Sequence, residues 1–134
     1  MVVPKVLKGT KPERQIAQCL QDFGLKFEMR DRNLPGTPDI VLKNYPIIVF
    51  IHGCFHHQYA ECGAAEEVLA KNRQRAQSMT DDRLRFEKNE AQLLEDGWTV
   101  FVLWECHITR SAVDESLKIK RAVDKLQKNA SSDG

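Results

Sequence analysis

Apolar residues recur along this chain with two different periods, and the switch between them marks the elements. Ile16, Leu20 and Phe23 share one face of a helix. Thr10 can cap that helix, Pro12 suits its first turn, Glu13 completes a capping box and Gly24 stops it. Leu25, Phe27 and Met29 then alternate with polar residues, the pattern of a half-buried strand. Leu34-Pro35-Gly36-Thr37-Pro38 reads as a rigid turn, Asp39 to Leu42 as a short strand, and Lys43-Asn44-Tyr45-Pro46 as a second turn. Ile47 to Ile51 is unbroken apolar sequence, as in a central strand covered on both faces. Residues 53–65 read as an irregular loop rich in Gly, His and Cys. Glu66 to Gln77 predicts a helix, and Asp82 to Asp96 a second one with Gly97 as its stop. Trp98 to Trp104 is rich in β-branched and aromatic residues and predicts a strand. Ser111 opens a last helix carrying Leu117, Ile119, Val123 and Leu126. The order α-β-β-β-α-α-β-α predicts a single α/β domain, a central mixed β-sheet flanked by helices.

At 134 residues the chain can bury one core. Residues 1–9 read as an N-terminal arm, 10–128 as the folded domain and 129–134 as a disordered tail. No apolar run approaches the ~20 residues of a membrane span, and the start of the chain lacks a secretion signal, so a cytoplasmic monomer without membrane contact is expected. The net charge is only +1, but Lys5, Lys8, Lys11, Arg14, Lys26, Arg30 and Arg32 crowd the first quarter. Such a cluster can neutralise phosphates; from charge alone a solvated basic surface is the plainer reading.

The candidate chemistry falls in two places. Asp39 follows Pro38 and opens a strand, where a carboxylate can hold a hard cation such as Mg²⁺ or merely bond its own turn. His52-Gly53-Cys54-Phe55-His56-His57, with Cys62 beyond, concentrates thiols and imidazoles, the usual ligands of zinc. Cys106, after the last strand, could add a third thiolate; buried cysteines can also be plain core, as expected for Cys19. His52 or His57 could move protons near neutral pH, and with a cation at Asp39 would cover the needs of phosphodiester cleavage.

Taken together these segments resemble the very-short-patch repair endonucleases, the Vsr family. The match runs over Leu34-Pro35-Gly36-Thr37-Pro38-Asp39, then Phe50-Ile51-His52-Gly53-Cys54-Phe55, then Gly97-Trp98 and Trp104-Glu105-Cys106, with Glu13 upstream. The resemblance implies a type II restriction endonuclease-like fold with a structural zinc site. It also implies a Mg²⁺-dependent enzyme that nicks one strand of double-stranded DNA beside a T:G mismatch, with mismatch-repair proteins as further partners. It implies Asp39 as a Mg²⁺ ligand, with the backbone carbonyl of Ile51 as another. His57 would be the catalytic histidine, assisted by His52 and Glu13. Cys54, Cys62 and Cys106 would bind zinc, leaving His57, Glu61 and His107 open as the fourth ligand. Phe55 and His56 would enter the base stack, and Lys8, Lys11 and Arg14 would meet phosphates.

The chain departs from the family pattern at three points. His56 stands where a tryptophan is expected. The Cys54-to-Cys62 loop is one residue longer. Phe86 follows Arg85 where an acid is expected. A zinc-stabilised DNA-binding module without catalysis, or a restriction or mobile-element nuclease of the same fold, would fit the same residues.

Overall fold

Ile47-Ile48-Val49-Phe50-Ile51 offers no polar position to water, so both faces of that strand must be covered, and the rest of the chain is arranged to cover them. The computed structural model describes residues 9–53 and 73–132, with side-chain surroundings for 9–53 and 81–128. In order, the elements are α1 (Lys11–Asp22), β1 (Phe27–Met29), β2 (Ile40–Leu42), β3 (Ile47–His52), α2 (Arg73–Glu95), β4 (Thr99–Trp104), α3 (Glu105–Arg110) and α4 (Ala112–Ser132). The sheet order is β1-β2-β3-β4. The first three strands pair antiparallel, and β3 pairs in parallel with β4 from Ile47–Thr99 to His52–Trp104. The expected mixed sheet in an α/β domain is therefore present.

Alternation along β3 divides the core. Ile47 and Val49 pack with Ile16, Ala17 and Leu20 of α1 and Ile119 and Val123 of α4. Ile48 and Phe50 face the other way, against Leu93 and the half-buried Phe86 of α2, with Trp98 and Val100 beside them. Burying such branched side chains contributes about 1.5–3 kcal/mol each. The sheet is thus sandwiched, and among the described residues the larger core lies under α1 and α4 and the smaller under α2.

Five local expectations are corrected. The break between residues 77 and 82 is absent, and Arg73 to Glu95 form one helix. No Gly or Pro interrupts that span, so Ser78 and Thr80, which favour caps in isolation, are carried inside the helix. Residues 66–72 lie outside the described residues. The capping box at Thr10 does not form: Thr10 takes the cap position without a side-chain bond, and Glu13 is drawn inward instead. A short helix, α3, intervenes before Ser111. Finally, α4 stays helical to Ser132, into the stretch read as a tail. Cys19 is half-buried rather than core.

Two glycines matter for different reasons. Gly97 ends α2 at φ 98, its N–H bonding Leu94 O at 3.1 Å while Trp98 N bonds Leu93 O at 3.0 Å, a Schellman closure. Gly36 sits at φ 80 in the turn closed by Thr37 N to Leu34 O at 3.1 Å, with Pro35 before it, a type II arrangement. A Cβ at Gly97 would meet nothing within 4 Å, whereas one at Gly36 would press on Phe50 at 3.2 Å and on Asn89 Cβ at 3.3 Å. Gly97→Ala should therefore cost only the left-handed backbone strain, about 1–2 kcal/mol. Gly36→Ala should cost about 1 kcal/mol more, since α2 must also shift off the turn. Urea unfolding of both variants checks the ranking; equal losses would mean that α2 does not press on the turn.

Candidate active site

The β2–β3 ladder pairs Val41 with Ile48 and Ile40 with Val49, and there the recorded pairing stops. Just beyond it, the Asp39 carboxylate accepts the Ile51 N–H through Oδ2 at 2.7 Å. The acid thus does the work of a backbone acceptor and is fixed at the end of the paired strands. In an extended strand a residue's C=O leaves on the same side as its N–H, so the Ile51 carbonyl belongs to the same side as Asp39.

Asp39 lines an open cleft of about 400 Å³. Gly36, Thr37, Ile51 and His52 form one wall, and Asp82, Arg85, Phe86 and Asn89 of α2 form part of the opposite one. Thr37 holds φ 48, a conformation that costs a β-branched residue about 1–3 kcal/mol and tends to persist where the surroundings enforce it. Burial raises the Asp39 pKa from 3.8 to about 6, helped by the charge of Glu13. The Ile51 bond and the charge of Arg30 act in the opposite direction.

Glu13 comes from α1. The buried residues of that helix are Glu13, Ile16, Ala17 and Leu20, so the acid occupies the core-facing stripe. It receives a bond from Arg30 Nη2 at 3.3 Å. Arg30 itself lies at φ 56 and donates its N–H to Asp39 O at 3.0 Å.

His52 is buried at 5% exposure. Its ring meets Phe86 edge-to-face at 4.4 Å, Trp104 at 5.1 Å and Phe50 at 6.2 Å between centroids. The position where an acid was expected on α2 therefore holds an aromatic ring that packs on the histidine.

Of the residues predicted from sequence, Asp39, Ile51 and His52 share the cleft, and Glu13 acts on Asp39 through its charge. Lys11 and Arg14 are exposed on α1 and line a separate shallow groove with Gln15, Gln18, Cys19 and Ala112. Cys106 is a half-buried free thiol in the first turn of α3. His107 beside it turns Nδ1 to Glu115 Oε1 at 3.7 Å. Cys54, Phe55, His56, His57, Glu61, Cys62 and Lys8 lie outside the described residues. Among the described residues no three of His, Cys, Asp and Glu converge as a metal cluster. The oxygen donors at Asp39, Glu13 and the Ile51 carbonyl are nevertheless of the type a hard cation takes.

The sequence reading missed Asp82 and Asn89 as cleft residues. The signal was available: Asp82, Phe86, Asn89 and Leu93 follow a 4-3-4 spacing, so two polar residues occupy the sheet-facing stripe of α2. It also passed over Arg30 as anything more than surface charge.

Comparison with known proteins agrees with this geometry. Residues 4–63 match the family model described as DNA mismatch endonuclease Vsr. The type II nicking enzyme V.NmeAIP of Neisseria meningitidis is 34% identical over 79% of this chain and 75% of its own length. V.XorIIP of Xanthomonas oryzae, also a type II nicking enzyme, is 32% identical over 76% of this chain and 74% of its own. The DNA mismatch endonuclease Vsr of Escherichia coli is 30% identical over 82% of this chain and 71% of its own. With the motifs around Asp39 and His52 inside these matches, the chain belongs to the Vsr family of DNA endonucleases.

Proposed function

We propose that this endonuclease nicks one strand of duplex DNA at or beside a T:G-type mismatch, by Mg²⁺-dependent phosphodiester hydrolysis at the Asp39 cleft, in very-short-patch repair. The observation that carries the reading is the Asp39 carboxylate anchored on the Ile51 N–H, with Glu13 acting on it. Oδ2 is engaged by the amide, which leaves Oδ1 for a cation. The Ile51 carbonyl and Glu13 would complete the protein's oxygen donors. A bound Mg²⁺ would polarise the phosphoryl group and ease deprotonation of the attacking water. His52, packed in its aromatic surround, and His57 are both proposed to hold or pass a proton. The open cleft leaves room for a phosphodiester to approach the acid. We also assign Phe55 and His56 to the base stack, Lys8, Lys11 and Arg14 to phosphates, and Cys54, Cys62 and Cys106 to a structural zinc. The half-buried, unbridged thiol of Cys106 is compatible with that last role. A restriction endonuclease-like fold and a cytoplasmic monomer fit the same reading.

The direct test is cleavage of a panel of duplexes, one per mismatch, alongside fully paired DNA. With Mg²⁺ a single-strand nick beside T:G is expected, and EDTA should abolish it. Asp39→Asn should lower the rate at least about 100-fold while leaving DNA binding intact. DNA binding by the wild type without a nick under any divalent cation would instead favour the non-catalytic binding module.

Asp39 also sets a pH dependence. Its folded pKa is raised, to about 6, above the ordinary 3.8, so the folded chain holds the proton more tightly than the unfolded one. Stability from this group is present at low pH and is lost as pH rises from about 4 to 6. Asp39→Asn, which keeps an acceptor for the Ile51 N–H, should therefore melt higher than wild type above pH 6 in EDTA, the gap closing below pH 4. Mg²⁺ should raise the wild-type melting temperature and barely move the variant. A variant that melts lower at every pH would show that the carboxylate is structural.

For zinc, elemental analysis should find about one ion per chain. Cys106→Ser should lose the metal and melt earlier. Unchanged zinc content in Cys106→Ser would remove Cys106 from the ligand set.

A further inference from the structure

Glu13 is a carboxylate in the core-facing stripe of a helix, buried to 7% exposure. A charge in that position needs a partner, because desolvation of an unpaired carboxylate costs several kcal/mol. Two groups enclose it. On one side is the backbone of Gly9, where an added Cβ would collide with Glu13 Oε2. On the other is Arg30, with Nη2 3.3 Å from Oε2. Arg30 also lies beside Asp39 in the fold, its backbone N–H donating to the main-chain carbonyl of Asp39 at 3.0 Å. It holds φ 56, a conformation costly to a residue with a Cβ. Its guanidinium also opposes the rise in the Asp39 pKa, so its charge is felt at both carboxylates.

We infer that Arg30 is the resident counter-cation of the Glu13–Asp39 pair, a positioning residue whose guanidinium a divalent cation must compete with when it binds the two acids. The inference rests on the cation site proposed above. Glu13 is also enclosed by Gly9 and by its own helix, so losing the guanidinium does not free the carboxylate to leave. The electrostatic consequence therefore dominates: without Arg30 the acids attract a divalent cation more strongly. The side chain of Arg30 is 55% exposed, so solvent screens the effect and limits it to a modest factor.

Gln is the informative replacement. It keeps a Cβ at φ 56, so backbone strain is unchanged and only the charge is lost, whereas Gly would relieve the strain and confuse the two. Arg30→Gln should melt lower than wild type in EDTA. In melting titrations with Mg²⁺ and without DNA, its cation midpoint should fall about 3- to 10-fold. Arg30→Lys, which restores the charge, should return the midpoint toward wild type. In a Glu13→Gln background the effect of Arg30→Gln should shrink. An unchanged midpoint in Arg30→Gln, or a weaker one, overturns the inference.

A second measurement does not depend on any variant folding. In nitrogen NMR of the wild type, Mg²⁺ should shift the Arg30 side-chain Nε signal with the same midpoint as the Ile51 amide, which reports on Asp39 through its hydrogen bond. If the Ile51 amide moves and Arg30 does not, Arg30 is no counter-cation while the cation site stands. If neither moves, the site reading itself fails.

Discussion

The bond from the Ile51 N–H to the Asp39 carboxylate is the contact on which the arrangement of the site depends. It joins the start of β2 to the end of β3 by a side chain rather than by the ladder. An acid there is held away from bulk water, and burial makes it reluctant to ionise. One good hydrogen bond to an ionised group contributes about 1.5–3 kcal/mol, which offsets that desolvation only in part. The residue is therefore fixed in place while its charge remains costly. A cation at the proposed site would relieve that cost. The neighbouring backbone conforms to it: a type II turn delivers the chain, and Thr37 and Arg30 adopt left-handed conformations on either side.

The two faces of the sheet divide the labour. Beneath α1 and α4 the packing is continuous and apolar, and there the fold gains its stability. Beneath α2 the described apolar contacts centre on Phe86 and Leu93, and the sheet-facing stripe of the helix turns polar at Asp82 and Asn89, where it borders the cleft. Phe86 sits between these regimes. It extends the smaller core through Phe50 at 4.9 Å and touches His52 at 4.4 Å. At the position where an acid was expected, an aromatic ring thus packs on a histidine ring. That ring contact fixes orientation without adding another negative charge beside Asp39.

How far the sequence could be read follows from which forces act locally. The helix stops at Gly24 and Gly97, the Pro35-Gly36 turn and the unbroken run of β3 all depend on near neighbours, and each is found where its residues indicate. The mixed sheet and Asp39 at a strand end were legible for the same reason. The capping box was not, because Glu13 is claimed by Arg30, a partner seventeen residues away. No pattern confined to the first turn of α1 could announce that competition. The supposed break within α2 failed similarly. Ser78 and Thr80 lower helix propensity, but propensities of a few tenths of a kcal/mol each yield to an otherwise uninterrupted helix. Arg30 was hidden by its type: a lone arginine near a strand end is usually surface charge, and only the fold brings it between two acids.

A nuclease whose cleft holds carboxylates must still bring a polyanion to that cleft, and a chain of net charge +1 has little general attraction to offer. The first turn of α1 shows how the conflict can be handled locally. Lys11 and Arg14 stand on its exposed side, while Glu13, their neighbour in sequence, faces inward to Arg30 and Asp39. One helical turn thus sorts opposite charges by face, leaving cations where phosphates could approach and the acid where a metal could be held. Moving Glu13 by one position would carry it off the core-facing stripe, since successive helical residues point about 100° apart. The acid would then be exposed beside the basic residues, weakening the phosphate-facing charge and removing a neighbour of Asp39 at once. The register of α1 against the sheet, fixed by Ile16, Ala17 and Leu20 in the larger core, is therefore a requirement of the site as well as of the fold.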